Sequence, residues 1–181
     1  MIIGLSGYAR SGKDTVADHL ISTYDFTRYS FAASMKEAMY RLNPIVHSDD
    51  IGSLRYQALV DVYGLDSVKE NYPEVRRLLQ VFGTEVGRDM FGENFWVDLV
   101  LNNLRSFHTV ISDVRFTNEA DAIRAKGGKI WRVNRKGVGP VTGHSSEINL
   151  DWYDFDLIIN NDDDIESLNK QIDIAIGGIK N

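Results

Sequence analysis

The amino-acid sequence predicts an α/β fold in which a parallel β-sheet is covered by helices on both faces. Two features predict it: short apolar runs alternate with helical apolar patterns, and the first run leads through a glycine-containing loop into the first helix. A chain of 181 residues with 43% hydrophobic residues suits one such domain with a filled core. We find no repeat or linker that divides it, so a single domain over 1–181 is expected.

The N-terminal elements are predicted in the order strand, helix, strand, helix. The apolar run from Ile2 is typical of a buried strand, and the helix after the loop has an apolar face that begins at Val16. Residues 26–31 are predicted to form the next strand. Ser34 and Glu37 have the spacing of a capping box, which predicts a helix that begins there and ends near residue 42.

Residues 43–105 are predicted to form a helical insertion without a convincing strand. Helices are expected over 53–63, 73–90 and 94–105. Glycines at positions 83 and 87 weaken the middle helix. Its apolar side chains would face a core, namely Val75, Leu78, Leu79, Phe82, Val86 and Met90.

Strands and helices alternate again after the insertion. The expected elements are strands over 108–113, 129–134 and 155–160, a helix over 118–126 and a last amphipathic helix from Ile165. The irregular stretch 135–152 is long enough to be a mobile lid. Ligands of parallel sheets bind at the carboxyl ends of the strands, so the residues that follow the strands are the candidate site residues.

The loop after the first strand has the spacing of a phosphate-binding loop. Four residues separate Gly7 from Gly12, and Lys13 follows, which matches G-x-x-x-x-G-K. Glycines let backbone N–H groups surround phosphate oxygens, and the following helix adds the positive end of its dipole. Asp14 stands where a magnesium-binding Ser or Thr is usual, and a hydroxyl follows at Thr15. The residues predicted to bind a nucleoside triphosphate, in a P-loop NTPase fold, are Gly7, Ser11, Gly12, Lys13, Asp14 and Thr15.

Charge and cysteine content exclude several classes of protein. A net charge of −6 argues against a protein that coats nucleic acid, because such binding needs many phosphate-neutralising Lys and Arg side chains. There is no cysteine, which excludes disulfides, thiol catalysis and cysteine-ligated metals. No signal-like or long uncharged apolar segment is present, so a cytoplasmic protein without a membrane partner is expected.

One face of the middle helix of the insertion could bind an anion. Arg77, Gln80, Thr84 and Arg88 follow one another at spacings of three, four and four residues, which an α-helix places on one face. Arg matches phosphate oxygens with a planar fork of donors, while Gln and Thr can hydrogen-bond a base or sugar. The alternative is a solvated face with glutamates as ion-pair partners. Trp96 could stack a base or belong to the core.

The insertion resembles the substrate region of phage-type deoxynucleoside monophosphate kinases. The similar run is Leu79-Gln80-Val81-Phe82-Gly83-Thr84-Glu85, followed by Arg88 and by Gly92-x3-Trp96. Further similar runs, in the family's order and spacing, are Ile111-Ser112-Asp113-Val114-Arg115-Phe116 with Asn118-Glu119, Arg132-Val133-x-Arg135, His144-x-Ser146-Glu147 and Ile159-Asn160-Asn161-Asp162. The similarity covers nearly the whole chain, and the family also has the Gly-Lys-Asp form of the loop. Animal phosphomevalonate kinases are more distantly similar.

The resemblance implies a kinase that transfers the γ-phosphoryl group of ATP to a deoxynucleoside 5′-monophosphate with the help of Mg²⁺. Its partners would be these small molecules, it would work in the host cytoplasm if phage-encoded, and a homodimer is left open. Phosphoryl transfer needs in-line positioning and positive charge. The residues expected to supply them are Lys13 and Arg10 at the donor phosphates, Asp14 or Thr15 at magnesium, Arg88 and Arg115 at the acceptor phosphate, and Arg135 from the lid.

Several assignments stay open at this point. Asp113 could hold magnesium through water, orient the acceptor or cap the next turn. Asn160 and Asp162 could reach the adenine ring or form an Asx turn. Glu147 is expected to contact substrate, and His144 to be structural or to contact substrate, because one histidine without matching ligands is poor evidence for a metal site.

Two other functions are compatible with a phosphate loop. One is a kinase for another small phosphorylated acceptor, and the other is a nucleotide-dependent switch or ATPase subunit. A switch needs a residue that positions the attacking water and a partner surface, and the sequence identifies neither.

Overall fold

The structure is a computed structural model that describes residues 1–50, 52–140 and 148–179. The chain forms two compact units. The first comprises Met1–Phe31 and Val100–Asn181, and the second is Ala32–Leu99. The second unit thus begins and ends earlier than the insertion proposed from the sequence.

Within the described residues, the strands and helices follow one another along both units. The strands are β1 (Ile2–Ser6), β2 (Thr27–Tyr29), β3 (Ile45–Ser48), β4 (Ser53–Arg55), β5 (Thr109–Ile111), β6 (Lys129–Asn134) and β7 (Leu157–Asn160). The helices are α1 (Lys13–Tyr24), α2 (Phe31–Leu42), α3 (Tyr56–Tyr63), α4 (Leu65–Asn71), α5 (Pro73–Val81), α6 (Phe95–Leu101), α7 (Thr117–Ala125) and α8 (Ile165–Ile179). A π-helical segment, Phe82–Met90, continues from α5 and is called the π segment below.

The first unit is built on a five-stranded sheet in the order β2-β5-β1-β6-β7. Every neighbouring pair in it is parallel, which confirms the predicted α/β fold. Because β1 is the central strand and all five run the same way, the segments that follow β1, β5, β6 and β7 leave the sheet at one edge. This edge carries the candidate site.

Helices pack on both faces of this sheet. On one face, Leu5, Trp131 and Val133 form a fully buried core with α1 and α8. On the other, Gly4 faces α7, where an added Cβ would lie 2.9 Å from Ile123. Burying a side chain such as Leu5 contributes about 1.5–3 kcal/mol to stability.

The second unit has a separate core and two strands that the sequence did not reveal. Strands β3 and β4 pair antiparallel, so the prediction of an insertion without strands is wrong. Apart from Val46, their side chains are exposed, so no alternation of apolar and polar residues marks them as strands. Tyr56, Val68 and Val75 are buried in the core of this unit.

Several helix bounds differ from the sequence prediction. Helix α3 begins at Tyr56 because the preceding residues belong to β4, and α4 was not predicted. Helix α6 ends at Leu101. Helix α2 begins at Phe31, so Ser34 lies inside it and the predicted capping box is wrong.

The helix predicted over 73–90 is α-helical only as far as Val81 and then becomes the π segment. A wider turn rotates the later side chains away from the positions that an α-helix would give them. Met90 is 72% exposed, so its predicted core position is wrong, and Val86 is only half-buried. None of the described helices is long and apolar enough to cross a bilayer.

Candidate active site

The phosphate loop joins β1 to α1 and depends on backbone conformations that favour glycine. Gly7 and Gly12 have φ angles of 140° and 104°, and Arg10 has a φ of 66°. A Cβ on Gly7 would lie 2.3 Å from the Val133 carbonyl oxygen. A residue other than glycine is uncommon and strained in the left-handed conformation, and such residues cluster at ligand sites.

Lys13 begins α1 and turns back into this loop. Its Nζ donates hydrogen bonds of 2.7 Å to the carbonyl oxygens of Gly7 and Tyr8. Burial, and next the positive charge of Arg115, lower the pKa of Lys13 to about 8. An ammonium group has three donors, so two shape the loop and a third can meet a phosphate oxygen.

A cleft opens beside Lys13 at the carboxyl edge of the sheet. It is lined by the end of β1 and the phosphate loop, by the segment after β5 and by Leu150. The lining residues are Ser6, Gly7, Tyr8, Ala9, Lys13, Val114, Arg115 and Leu150. The two cations of this cleft, Lys13 and Arg115, act on each other electrostatically. Two like charges held together favour an anion between them, as phosphate transfer requires.

Arg115 is held at the cleft by a buried carboxylate. Glu119, on the first turn of α7, is 4% exposed and accepts hydrogen bonds from the N–H groups of Arg115 (2.8 Å) and Phe116 (3.1 Å). A buried carboxylate that accepts two backbone N–H groups restricts that backbone strongly. The Arg115 side chain itself is exposed and can meet a ligand.

Asp113 caps a helix. Its Oδ2 accepts a 2.7 Å hydrogen bond from the Ser30 hydroxyl, and its Oδ1 accepts a 2.9 Å bond from the N–H of Phe31, the first residue of α2. A carboxylate satisfies the unpaired N–H groups at a helix start and favours the positive end of the dipole. The sequence left open a capping role at the turn that follows Asp113, whereas the helix capped here is α2, which precedes Asp113 in the chain.

The two residues after Lys13 differ in their surroundings. The Asp14 side chain is 82% exposed, and its Oδ1 lies 3.6 Å from Nη1 of Arg28. Nη2 of the same arginine donates a 3.1 Å hydrogen bond to the Asp14 carbonyl oxygen. Thr15 is half-buried. No group of three or more His, Cys, Asp or Glu side chains forms a metal site in the part of the chain that the structure describes. Mg²⁺ prefers oxygen ligands, and it usually keeps several waters and binds one or two protein oxygens beside the substrate phosphates. The oxygens of Asp14 and Thr15 fit such an ion.

The residue that follows β7 supports the phosphate loop, a role that sequence reasoning missed. Asn161 Nδ2 donates a 2.9 Å hydrogen bond to the Ser11 carbonyl oxygen, and a Cβ on Gly12 would lie 2.3 Å from that nitrogen. Asn160 and Asp162 were proposed to reach adenine. The backbone N–H and carbonyl of Asn160 bond the Gln171 side chain, and Oδ1 of Asp162 accepts the N–H of Lys136. The sequence placed 160–162 at the right edge of the sheet but could not show which residue touches the loop.

The remaining residues proposed for the first unit are partly described. Ser11 is 1% exposed, and its N–H donates to the Tyr8 carbonyl oxygen at 3.2 Å, so it shapes the loop. Arg10 and Arg135 are exposed. His144 and Glu147 lie outside the described residues.

In the second unit, the proposed substrate residues lie on α5 and the π segment. Arg77 donates two hydrogen bonds to Glu74, of 2.7 and 2.8 Å, which is the ion pairing that the sequence left as the alternative. Gln80 and Thr84 are exposed, and Arg88 is half-buried. Because the α-helix ends at Val81, these four residues do not follow a single α-helical face.

Trp96 is a packing residue of the π segment. It is 6% exposed, and its Nε1 donates a 2.9 Å hydrogen bond to the Gly83 carbonyl oxygen. A Cβ on Gly87 would lie 2.1 Å from the same nitrogen, so only glycine fits beneath the indole. This placement favours the core role over base stacking. π-helical segments are rare in proteins, and those that occur are frequently found at functional sites.

Several known proteins are similar to this chain over most of its length. A family model described as deoxynucleotide monophosphate kinase matches the chain in two overlapping segments, residues 1–67 and 45–172. A protein of Acanthamoeba polyphaga mimivirus, provisionally named a deoxynucleotide monophosphate kinase, is 32% identical over 95% of this chain and 94% of its own length. The deoxynucleotide monophosphate kinase of Enterobacteria phage T4 is 27% identical over 94% of this chain and 96% of its own.

Among solved structures, a shikimate kinase from Aquifex aeolicus is similar over 99% of this chain and 98% of its own, with a TM-score of 0.52 and 14% identity. At that identity the likeness shows the fold. The family model and the viral relatives, which span almost the full length, confirm the resemblance drawn from the sequence motifs. The chain therefore belongs to the deoxynucleotide monophosphate kinase family.

Proposed function

We propose that this protein transfers the γ-phosphoryl group of ATP to a phosphate oxygen of a deoxynucleoside 5′-monophosphate, which gives ADP and a deoxynucleoside diphosphate. The observation that carries the proposal is the cleft that Lys13 and Arg115 both line beside a glycine-rich phosphate loop, in a chain of this family. In such a reaction the protein positions the reactants and supplies positive charge.

A phosphate acceptor is compatible with the contacts that Asp113 makes as a helix cap. An alcohol acceptor loses a proton during transfer and benefits from a positioned base. A phosphate monoester has a second pKa of about 6, so near neutral pH it is already a dianionic nucleophile. Asp113 follows Ile111 and Ser112 at the cleft edge, and both its oxygens are engaged at the start of α2. A phosphate acceptor needs no base at this position.

The donor-site roles follow from the loop. The N–H groups of residues 7–13 and the N-terminus of α1 bind the β- and γ-phosphates, and Lys13 neutralises the transferring group. Mg²⁺ bound with ATP would neutralise charge on the same oxygens. Thr15 and Asp14 would supply the protein oxygens for it. Arg10, in its left-handed conformation, and Arg135 would add positive charge from the loop and the lid segment.

The acceptor roles rest on the family motif in the second unit. Arg88 would bind the acceptor phosphate, and Gln80 and Thr84, both exposed, would hydrogen-bond the nucleoside. Arg115 would supply positive charge where the transferred group meets its acceptor. Arg77 forms an ion pair with Glu74, so we assign Arg77 no contact with the acceptor.

An acceptor panel tests the proposal. The protein is incubated with Mg²⁺ and ATP alone, then with each deoxynucleoside and ribonucleoside monophosphate, and with phosphomevalonate as a non-nucleotide phosphate monoester. ADP formation that depends on a deoxynucleoside monophosphate, with the matching diphosphate as product, is expected. Dependence on phosphomevalonate would indicate the other kinase class. ADP formation that no acceptor stimulates would indicate an ATPase or switch.

The low pKa of Lys13 predicts how ATP binding responds to pH. In the free protein this pKa is about 8, against an ordinary value of 10.5, so Lys13 is charged below pH 8 and loses its proton above it. Bound phosphates favour the charged form and raise the pKa. ATP affinity should therefore be nearly constant up to about pH 8 and then fall by up to about tenfold per pH unit.

Titration calorimetry with a chelator present measures this effect without metal ligands. Lys13→Met, which cannot titrate, is the control and should bind weakly with a flatter pH profile. The stability of the free protein should rise with pH over the same range. Below pH 8 the buried charge of Lys13 destabilises the folded state fully, and this penalty is relieved as the pH rises towards 10.5. An ATP affinity that stays constant from pH 7 to 10 would contradict the assignment of Lys13.

A further inference from the structure

The Tyr8 side chain connects the phosphate loop to a polar cluster that the reaction itself does not use. Tyr8 lies between the two loop glycines, and its hydroxyl donates a 2.8 Å hydrogen bond to Oδ2 of Asp151. The Arg132 guanidinium lies over the Tyr8 ring, with its Cζ 4.6 Å from the ring centre. Such a cation–π contact adds to the hydrogen bond in fixing the ring.

Arg132 and Asp151 form a largely buried ion pair. Arg132 is 7% exposed, its Nη2 donates a 2.9 Å hydrogen bond to Oδ1 of Asp151, and its Nε donates to Oδ1 of Asn134 at 3.3 Å. The Phe155 ring lies on the same guanidinium, 5.5 Å from Cζ to the ring centre. Each oxygen of Asp151 thus has a different partner, so Tyr8 and Arg132 are joined through one carboxylate. A buried pair holds its geometry because separating it leaves a charge without compensation.

The backbone of the same tyrosine anchors the catalytic cation. The Tyr8 carbonyl oxygen accepts one of the two hydrogen bonds of Lys13 Nζ, and the other goes to the adjacent Gly7. The Tyr8 carbonyl also accepts the N–H of Ser11, which closes the turn of the loop. A shift of the Tyr8 backbone would therefore move both the Lys13 anchor and the loop N–H groups.

We infer that Tyr8, Asp151 and Arg132 are positioning residues that hold the phosphate loop in the shape which anchors Lys13 and receives the triphosphate. This inference rests on the proposed function, because it assigns the cluster to the donor site of the kinase. The gain is preorganisation: a loop already held in its binding shape loses less conformational freedom when ATP binds. Burial, and next the hydrogen bond to Asp151, raise the pKa of Tyr8, so its hydroxyl stays a donor near neutral pH.

The same chain contains a matched hydrogen bond that does not involve the phosphate loop. The Tyr153 hydroxyl donates a 2.8 Å hydrogen bond to Oδ1 of Asp121, and the Arg124 Cζ lies 4.9 Å from the Tyr153 ring centre. Asp121 and Arg124 belong to α7 and not to the phosphate loop. Removing the Tyr153 hydroxyl therefore removes the same kind of hydrogen bond without touching the donor site.

The test compares Tyr8→Phe with Tyr153→Phe in the full-length protein. We expect Tyr8→Phe to weaken ATP binding, measured by calorimetry without acceptor, by about tenfold, as for loss of a hydrogen bond to a charged group. The KM for a deoxynucleoside monophosphate should stay within about twofold of wild type. Tyr153→Phe should lower Tm by a similar amount but leave ATP affinity within about twofold. Titrations are done well below the lowest Tm, so that stability does not enter.

A second set of variants asks whether the hydroxyl acts through the ion pair. Arg132→Met with Asp151→Leu replaces the pair by apolar side chains of similar size, an exchange that proteins often tolerate. This double variant should lose ATP affinity at least as strongly as Tyr8→Phe, and adding Tyr8→Phe to it should cost less than about twofold more.

The outcomes separate this inference from the proposed function. Wild-type protein that does not bind ATP would overturn the proposed function. Wild-type binding with Tyr8→Phe equal to wild type, or with both Tyr→Phe variants weakened alike, would overturn the positioning role. The full tenfold cost of Tyr8→Phe in the background without the ion pair would also overturn it, because the hydroxyl would then act without Asp151.

Discussion

Replacing Lys13 with alanine is expected to lower kcat by about a thousandfold or more, the largest effect that we predict for a single side chain. Among the described residues, Lys13 is the only lysine that lines the cleft. Arg115 alone cannot replace the Lys13 ammonium group at the loop. Negative charge builds on the oxygens around the transferred phosphorus, and a fixed cation in a partly desolvated cleft stabilises that charge strongly. Steady-state kinetics with ATP and a deoxynucleoside monophosphate measure the loss.

The fold should survive this substitution. Burial lowers the pKa of Lys13, which means that at pH 7 its charge is less favourable in the folded chain than in the unfolded one. The Tm of Lys13→Ala should therefore stay close to that of the wild type, because the charge that is removed offsets the two hydrogen bonds that are lost. Lys126→Ala, an exposed lysine just after α7, is the control and should keep full activity. Turnover within tenfold of wild type in Lys13→Ala would contradict its catalytic assignment.

Replacing Arg88 with alanine is expected to cost about 2–5 kcal/mol in kcat/KM for the acceptor, the range for removing one partner of a desolvated charge pair. The acceptor phosphate and the γ-phosphate both carry negative charge, so they repel each other unless cations neutralise them. Arg88 lies in the π segment, is half-buried and matches the substrate region of the family motif. Acceptor-free ATP hydrolysis should remain, because the donor site belongs to other residues.

Arg76→Ala is the matched control for Arg88. It is an exposed arginine on α5 of the same unit, and its removal should change the acceptor kinetics less than about threefold. The measurement is kcat/KM for the acceptor beside the acceptor-free ATPase rate in both variants. A parallel loss of both rates in Arg88→Ala would mean that Arg88 supports the fold or the donor site. Unchanged acceptor kinetics would mean that the acceptor phosphate binds elsewhere.

The sequence by itself determined the elements that depend on local patterns. Strand β1 and helix α1 follow from a continuous apolar run and a helical apolar face, and Gly7, Gly12 and Lys13 identify the phosphate loop by spacing alone. The strand β6 was predicted with its observed bounds, and its apolar residues Ile130, Trp131 and Val133 are buried in the sheet. The family motifs, spread along the chain, indicate the kinase family without the fold.

Elements with weak local patterns were decided by tertiary structure. All residues of strands β3 and β4 except Val46 are exposed, so nothing in their residue pattern required a sheet. Helix α2 begins at Phe31 because its N–H is bonded by Asp113, 82 residues further along the chain, and not by a neighbouring Ser34. The π segment forms where Gly83 and Gly87 lie against Trp96, a contact that no helical period predicts.

The supports of the site were likewise visible only in three dimensions. Asn161 reaches the loop at Ser11, 150 residues away, and Tyr8 meets Asp151 across 143 residues. Spacing along the chain reports which residues share a loop or a helix, because those contacts repeat with a fixed period. Contacts between the ends of parallel strands depend on the strand order β2-β5-β1-β6-β7, which the sequence did not specify. The local sequence of the loop therefore determines its phosphate-binding chemistry, whereas the strand order of the sheet brings together the side chains that hold the loop in shape.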